Sequence, residues 1–160
     1  MKLGYYPDVV NENATRIVAS SVVLLGVLAI LFPNPIVLGI LAVSFALRLS
    51  YGPKFEPVAF ITSRWLVPLL KISFIPTAGP PKRFAQVIGF SFAVAAFALF
   101  HYGQWDAYKA VLGVLVFFAS LESFLGWCAG CFVFGLLMKT GIIPADVCEK
   151  CNNLNFNKQQ

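Results

Sequence analysis

The chain has 160 residues, of which 59% are hydrophobic and 12% are charged, and its mean hydropathy is +0.79. A soluble globular domain carries about 25% charged residues, so this chain lacks the polar side chains needed to cover a water-exposed surface. The formal net charge of +5 does not indicate a nucleic-acid partner, because the basic residues are scattered around apolar segments and form no stripe. We therefore expect an integral membrane protein whose main partner is the lipid bilayer.

Four apolar segments predict membrane-spanning helices, since about 20 apolar residues cross the hydrocarbon core. They cover residues 17–32, 36–51, 87–105 and 110–138. The first two form a hairpin around Pro33. At the start of the third span, Ala85, Gly89 and Ala93 recur every four residues, and this stripe of small residues is predicted to face another helix.

A fifth segment, residues 57–75, is apolar but contains Arg64 and Lys71. Because charged side chains are costly in hydrocarbon, this segment is predicted to lie in the interface or to re-enter the membrane as an amphipathic helix. The expected architecture is all-α: a polytopic helical bundle over residues 1–139 and a cysteine-containing tail over residues 140–160.

The Lys and Arg residues indicate the orientation of the chain. Of twelve such residues, only Lys109 falls on the side opposite the N terminus in the four-span topology. Because positively charged loops stay in the cytoplasm, we expect a multi-pass protein of the inner (plasma) membrane with both termini in the cytoplasm.

Two ionisable residues lie within the apolar segments and require a partner. Arg48 ends the second span and Glu122 lies inside the fourth. Counting about 1.5 Å per residue places the two at similar depth, which predicts an ion pair between them. Such a pair either fixes helix register or lies on a path for protons or ions.

The four cysteines form two Cys-x-x-Cys pairs: Cys128 and Cys131 in the last span, and Cys148 and Cys151 in the tail. On a helix, residues three apart share a face, so the first pair presents two sulfur atoms side by side. The spacing Cys-x2-Cys-x16-Cys-x2-Cys is also typical of a tetrathiolate zinc site.

Three interpretations of the cysteines stay open, because a reducing cytoplasm disfavours only a permanent disulfide. In the first, both pairs are catalytic thiols that transfer electrons, sulfur or a soft metal from a soluble thioredoxin-like or sulfur-carrier protein. In the second, all four cysteines bind zinc or another soft metal and make a structural scaffold. In the third, Cys128 and Cys131 are buried packing residues.

A further alternative is a small transporter of a sulfur species or a metal ion, with Glu122 and Arg48 along its path. A chain of this size offers little room for a pathway, so this function favours a homo-oligomer. Other enzyme classes lack a signal: His101 is the only histidine and has no associated nucleophile, and neither a Walker loop nor a dinucleotide fingerprint is present.

Several motifs together resemble a bacterial family of small membrane proteins known only as a domain of unknown function, over about residues 8–137. They are Asn13-Ala14-Thr15-Arg16, Leu47-Arg48, Pro80-Pro81-Lys82-Arg83-Phe84-Ala85 and Gly126-Trp127-Cys128-Ala129-Gly130-Cys131. The resemblance implies a helical protein of the bacterial inner membrane and no particular activity. It implies signature positions at Asn13, Arg16, Arg48, Arg83, Phe84, Cys128 and Cys131.

A basic rim is expected near the cytoplasmic boundary, where Cys128 and Cys131 emerge. Its residues are Arg16, Arg48, Lys82 and Arg83. Such a rim lowers the pKa of a neighbouring thiol or attracts an anion such as thiosulfate, sulfite or a lipid head group. The alternative is that these residues only fix the topology and contact phospholipid.

Overall fold

The computed structural model describes residues 9–51, 57–66, 69 and 75–141. The helices among them are α1 (Glu12–Leu31), α2 (Pro35–Tyr51), α3 (Pro57–Ile61), α4 (Gly79–His101), α5 (Trp105–Ser120) and α6 (Ala129–Lys139). The π-helical turns Thr62–Leu66 and Leu121–Leu125 follow α3 and α5. The short strands β1 (Val9–Asn11) and β2 (Pro76–Ala78) pair in antiparallel fashion. The predicted all-α fold class is confirmed.

Helices α1, α2, α4 and α5 form an antiparallel bundle. Each helix contacts the next in this order, and α5 contacts α1. The core is apolar and includes Leu38, Leu41 and Leu112, which are fully buried. We call the end of the bundle at which α1 and α4 begin, and α2 and α5 end, the proximal end. The functional residues discussed below lie there.

Three helices are long and apolar enough to cross a bilayer: α1, α4, and α5 together with its π-helical turn. Helices α2 and α6 are shorter apolar helices. Large apolar side chains are exposed on the outer faces, among them Leu24, Ile36 and Phe117. An apolar outer surface of this kind is suited to contact with lipid.

Two helices begin earlier than predicted, and local sequence explains both starts. Helix α1 begins at Glu12 because the Asn11 side chain accepts a hydrogen bond from the Asn13 N–H at 3.1 Å and caps the helix. Helix α4 begins at Gly79 and carries prolines in its first turn, where proline is favoured. The earlier start of α4 places Lys82 inside the helix, whereas the predicted third span began at residue 87.

The strand pair, which was not predicted, joins the beginnings of α1 and α4. Val9, Val10 and Asn11 pair with Ala78, Thr77 and Pro76, in that order. The Glu12 N–H adds a hydrogen bond to the Ile75 carbonyl at 2.9 Å. These backbone contacts hold the two helix starts together at the proximal end.

The small-residue stripe of α4 faces its neighbours as predicted. Ala85 contacts Gly130 of α6, Gly89 contacts the Phe45 ring of α2, and Ala93 is fully buried. The absence of larger side chains lets both neighbouring helices approach the α4 backbone.

The predicted fourth span, residues 110–138, is wrong as one continuous helix: it is broken between Leu125 and Ala129. Of the predicted amphipathic segment 57–75, the described part forms α3 and the turn Thr62–Leu66, where Arg64 and Trp65 are exposed. Its position relative to the membrane stays a prediction, and Lys71 lies outside the described residues.

Candidate functional site

The break in the last apolar segment is produced by Gly126. Its φ of +68° lies in the left-handed region that favours glycine. The Gly126 N–H donates to the Glu122 carbonyl at 3.1 Å and the Trp127 N–H to the Leu121 carbonyl at 3.3 Å, which closes the end of the π-helical turn. The chain then becomes extended, so a new helix starts at the first cysteine pair.

Cys128 caps the N terminus of α6. Its Sγ accepts a hydrogen bond from the Cys131 N–H at 3.4 Å. Cys128 is buried and Cys131 is half-buried, and both are free thiols. The expectation that both cysteines lie on one face of a continuous helix is therefore corrected: one precedes the helix and the other lies in its first turn.

The surroundings of Cys128 favour its thiolate. Cys128 lies between the last of the three candidate membrane spans, which ends at Leu125, and the shorter apolar helix α6. A hydrogen bond from the Cys131 side chain lowers the pKa of Cys128, and the nearby Lys82 ammonium acts in the same direction, whereas burial and the Glu122 carboxylate oppose it. The net direction is downward. A thiolate at a helix N terminus also interacts favourably with the helix dipole.

Glu122 forms an ion pair, but its partner is Lys82 and not Arg48. Lys82 Nζ donates to Glu122 Oε1 at 2.6 Å, and both side chains are largely buried. The predicted Arg48–Glu122 pair is therefore wrong. The Arg48 guanidinium instead donates to Ser44, through Nη2 to the hydroxyl at 2.8 Å, and stacks over the Phe45 ring.

Arg16 contacts the helix break directly. Its Nη2 donates to the Phe124 carbonyl at 3.3 Å. A Cβ atom at Gly126 would lie 2.8 Å from the same nitrogen, so a larger residue there would displace the Arg16 guanidinium. Arg16 thus connects the start of α1 to the segment that presents Cys128.

The residues of the predicted basic rim differ in exposure and do not form one exposed rim. Lys82 and Arg48 are buried, Arg16 is half-buried and Arg83 is exposed on the outer face. The structure brings Lys82 and Arg16 to the segment around Cys128. It leaves Arg83 on the surface, where its role stays a prediction.

A cavity of about 210 Å³ lies at the proximal end, beside Cys128. We call it the thiol cavity. Its polar lining residues are Thr15, Arg48, Gln86, Glu122 and Cys128. The other walls are apolar and come from α1, α2, α4, α5 and α6. Cys128, which follows the helix break, therefore faces the interior of the bundle.

Gln86 and Ser123 are site residues that the sequence interpretation missed. Gln86 Oε1 is buried and has no hydrogen-bond donor among the described residues. The Ser20 and Ser123 Oγ atoms lie 2.6 Å apart and join α1 to the π-helical turn. No sequence signal pointed to Gln86, because this residue directly precedes the predicted third span, which began at residue 87.

The tail pair, Cys148 and Cys151, lies outside the described residues. Among residues 9–51, 57–66, 69 and 75–141, no group of three or more His, Cys, Asp or Glu side chains could hold a metal ion. A zinc site would need the tail cysteines in addition to Cys128 and Cys131, so the predicted four-cysteine metal site stays a prediction.

Comparison with known proteins agrees with the motifs around the helix break. The family model described as Domain of unknown function (DUF4395) matches residues 10–139. The chain belongs to the DUF4395 family. The matched region includes Arg16, Lys82, Glu122 and the Cys128–Cys131 pair, and it ends before the tail cysteines. No curated protein and no solved structure matches the chain.

Proposed function

We propose that this DUF4395 protein carries out thiol–disulfide exchange at a membrane surface, with Cys128 and Cys131 as the reactive pair. The observation that carries the proposal is the N-cap geometry, in which Cys128 Sγ accepts the Cys131 N–H at 3.4 Å. Two cysteines in the first turn of a helix can close a disulfide, and the cap stabilises the thiolate that is released when the disulfide opens.

The different exposure of the two thiols supports an order of events. Cys131 is half-buried and accessible, whereas Cys128 is buried. A thiolate of a soluble dithiol protein attacks Cys131 Sγ of the Cys128–Cys131 disulfide, and Cys128 leaves as the thiolate. The second thiol of the partner then attacks the mixed disulfide and releases Cys131, so the partner is oxidised and the membrane pair gains two electrons and two protons.

The low pKa of Cys128 suits the role of leaving group. A thiol with a lower pKa leaves faster in thiol–disulfide exchange. The nearby Lys82–Glu122 pair fixes the start of α4 against the end of α5 and supplies a cation near the released thiolate.

The proposal includes a location. We place the protein in the bacterial plasma membrane with four passes, and we place the proximal end and both termini in the cytoplasm. This placement rests on the distribution of Lys and Arg, on the three helices long enough to cross, and on the shorter apolar helix α2, which packs in the same bundle. The dithiol partner is then a cytoplasmic thioredoxin-like protein. Reporter fusions at each terminus test the orientation, and an external C terminus would contradict it.

The exchange reaction is tested with the full chain in lipid nanodiscs, carrying Cys148→Ser and Cys151→Ser so that only the first pair remains. Oxidised protein is mixed with a thioredoxin that lacks its resolving cysteine. We expect a stable mixed disulfide that mass spectrometry maps to Cys131. Complete thioredoxin should be oxidised, and Cys128→Ser and Cys131→Ser should each abolish that oxidation.

Three results would contradict the proposed function. One is the absence of any mixed disulfide with the first pair. A second is exchange that proceeds only when Cys148 and Cys151 are restored, which would move the chemistry to the tail. A bound zinc ion that blocks all four thiols would also contradict it and would favour the scaffold interpretation.

A further inference from the structure

The thiol cavity suggests where the electrons go after Cys128 and Cys131 have been reduced. Cys128 lines this cavity, whose walls come from helices with apolar outer faces. Cys131 does not line it and is partly exposed. The two thiols therefore face different surroundings, one the accessible surface and the other an apolar cavity within the bundle.

The size of the thiol cavity fits a single six-membered ring. A dry cavity of about 150 Å³ is large enough to bind benzene, and this one measures about 210 Å³. Its walls are mainly small and aromatic apolar residues, including Ala19, Phe45 and Phe92. A planar apolar ring with small substituents fits this space and this lining.

The polar groups in the cavity suit a ring that carries oxygen atoms. Gln86 Oε1 is buried without a donor in the described part of the chain. An amide can be rotated by 180°, so Gln86 can donate N–H to a carbonyl oxygen or accept from a hydroxyl group. A ligand whose ring oxygens alternate between carbonyl and hydroxyl groups would form a hydrogen bond with Gln86 in both its oxidised and its reduced state.

We propose that the thiol cavity binds the head group of a lipid-soluble benzoquinone, which oxidises the Cys128–Cys131 dithiol. This inference rests on the proposed thiol–disulfide exchange. A dithiol gives up two electrons and two protons when it forms a disulfide, and a benzoquinone accepts both to become the quinol. The membrane supplies the quinone, and the thiol cavity brings it to the buried sulfur.

The reaction proceeds in two balanced steps. The Cys128 thiolate adds to a ring carbon of the quinone, which forms an S–C bond and pushes an electron pair onto a ring oxygen. The Cys131 thiol then attacks Cys128 Sγ and gives up its proton, so the S–C bond breaks, the disulfide forms, and the electron pair of the broken bond passes into the ring, which takes up two protons and leaves as the quinol. The protons of the two thiols end on the two quinol oxygens.

The test uses the full chain in nanodiscs with decylubiquinone as the probe. Reduced protein carrying Cys148→Ser and Cys151→Ser should consume one quinone for each disulfide formed. Ala119→Phe fills the cavity and should slow quinone reduction about tenfold or more, since overpacking excludes the ring. Ala110→Phe is the matched control on the same helix, because Ala110 is exposed, and it should reduce quinone at the normal rate.

Gln86→Leu provides an independent variant. It removes the hydrogen bond to the ring oxygen and should raise the KM for quinone about fivefold to tenfold, with a smaller change in kcat. Circular dichroism and unfolding by denaturant in detergent micelles check that Ala119→Phe and Gln86→Leu are folded.

The outcomes separate the two proposals. Normal exchange with thioredoxin and no quinone consumption would overturn the quinone inference and leave the proposed function standing. Equal quinone reduction in Ala119→Phe and Ala110→Phe would also overturn it, because the reaction would then occur outside the cavity. Loss of exchange with thioredoxin in the unmodified pair would instead reject the proposed function.

Discussion

Cys128 and Cys131 are three residues apart, yet their environments differ. Cys128 caps α6, is buried and lines the thiol cavity, whereas Cys131 lies in the first helical turn and is partly exposed. The difference arises from the backbone, because Gly126 breaks the preceding helix and turns the chain before Cys128. One thiol can therefore meet a soluble protein while the other faces the interior.

The pKa of Cys128 can be tested through the pH dependence of its alkylation. Only the thiolate reacts, and a pKa below the ordinary value keeps the thiolate present at lower pH. The midpoint of the rate–pH curve, measured by mass spectrometry of the Cys128 peptide, should lie below that of an ordinary cysteine. Cys131→Ala removes the side-chain hydrogen bond and should move the midpoint upward. An unchanged midpoint in that variant would contradict the account.

The Lys82–Glu122 pair predicts a strong coupling between two substitutions. Lys82→Met or Glu122→Gln alone should lower the free energy of unfolding by about 3–5 kcal/mol, because each leaves a buried charge or dipole without its partner. The double variant should lose less than the sum of the two. Unfolding by denaturant in detergent micelles measures these values. Arg83→Met is the control and should change them by about 0.5 kcal/mol or less, since Arg83 is exposed.

Tyr108 supplies a hydrogen-bond donor that is missing near the C-terminal end of α1. The Ala29 carbonyl would normally accept from the residue four positions later, but that residue is Pro33, which has no N–H. The Tyr108 hydroxyl donates to it at 2.6 Å from a fully buried position. Tyr108→Phe should lower the free energy of unfolding by about 1–3 kcal/mol. Tyr102→Phe, at an exposed tyrosine, should have no measurable effect, and equal effects would contradict this role.

At the scale of elements, α6 is positioned by its contact with α4. A Cβ atom at Gly130 would lie 2.6 Å from the Ala85 Cα, which is closer than packed atoms can approach. The helix that carries the cysteine pair therefore rests directly on the backbone of the helix that carries Lys82. Arg16 of α1 contacts the helix break that precedes α6 through its hydrogen bond to the Phe124 carbonyl.

Substitution of two glycines in α6 tests this arrangement. Gly130→Ala should lower the free energy of unfolding by about 1–3 kcal/mol through overpacking and should slow thiol–disulfide exchange, because α6 must shift. Gly135→Ala meets no atom within 4 Å and should be neutral or stabilising by about 0.5–1 kcal/mol. Stability and exchange rates that are the same in both variants would contradict the close contact.

Hydropathy predicted the helical segments because long apolar runs in a membrane have few alternatives to helix. It could not locate the break at Gly126, since glycine, tryptophan and cysteine are all tolerated in an apolar run. The partner of Glu122 was missed for a related reason. The third span was predicted to begin at residue 87, which left Lys82 outside it, whereas the prolines after Gly79 start α4 earlier.

Arg48 and Glu122 show what depth counting can and cannot predict. Both line the thiol cavity, so their predicted similar depth was useful. The choice of partner depends on the rotation of each helix about its axis, which depth does not define. Gln86 was missed because a single amide looks unremarkable in sequence until its oxygen is seen to be buried.

At the scale of the whole molecule, lipid-suited outer faces surround a small polar site. Three helices can cross a bilayer, and the site lies at the one end where α1 and α4 begin. The cysteine pair is thus placed between an apolar interior and an accessible surface. Exchange between a soluble dithiol and a membrane-soluble acceptor requires this placement.

The central claim is that Cys128 and Cys131 act together as one reversible redox pair. The most direct measurement equilibrates the full chain in nanodiscs with glutathione buffers of graded potential and counts disulfides by mass spectrometry. Such a pair should show a single two-electron transition, with the disulfide joining Cys128 to Cys131, and the transition should be unchanged when Cys148 and Cys151 are serine. No disulfide at any potential, or one zinc ion held by all four thiols, would contradict it.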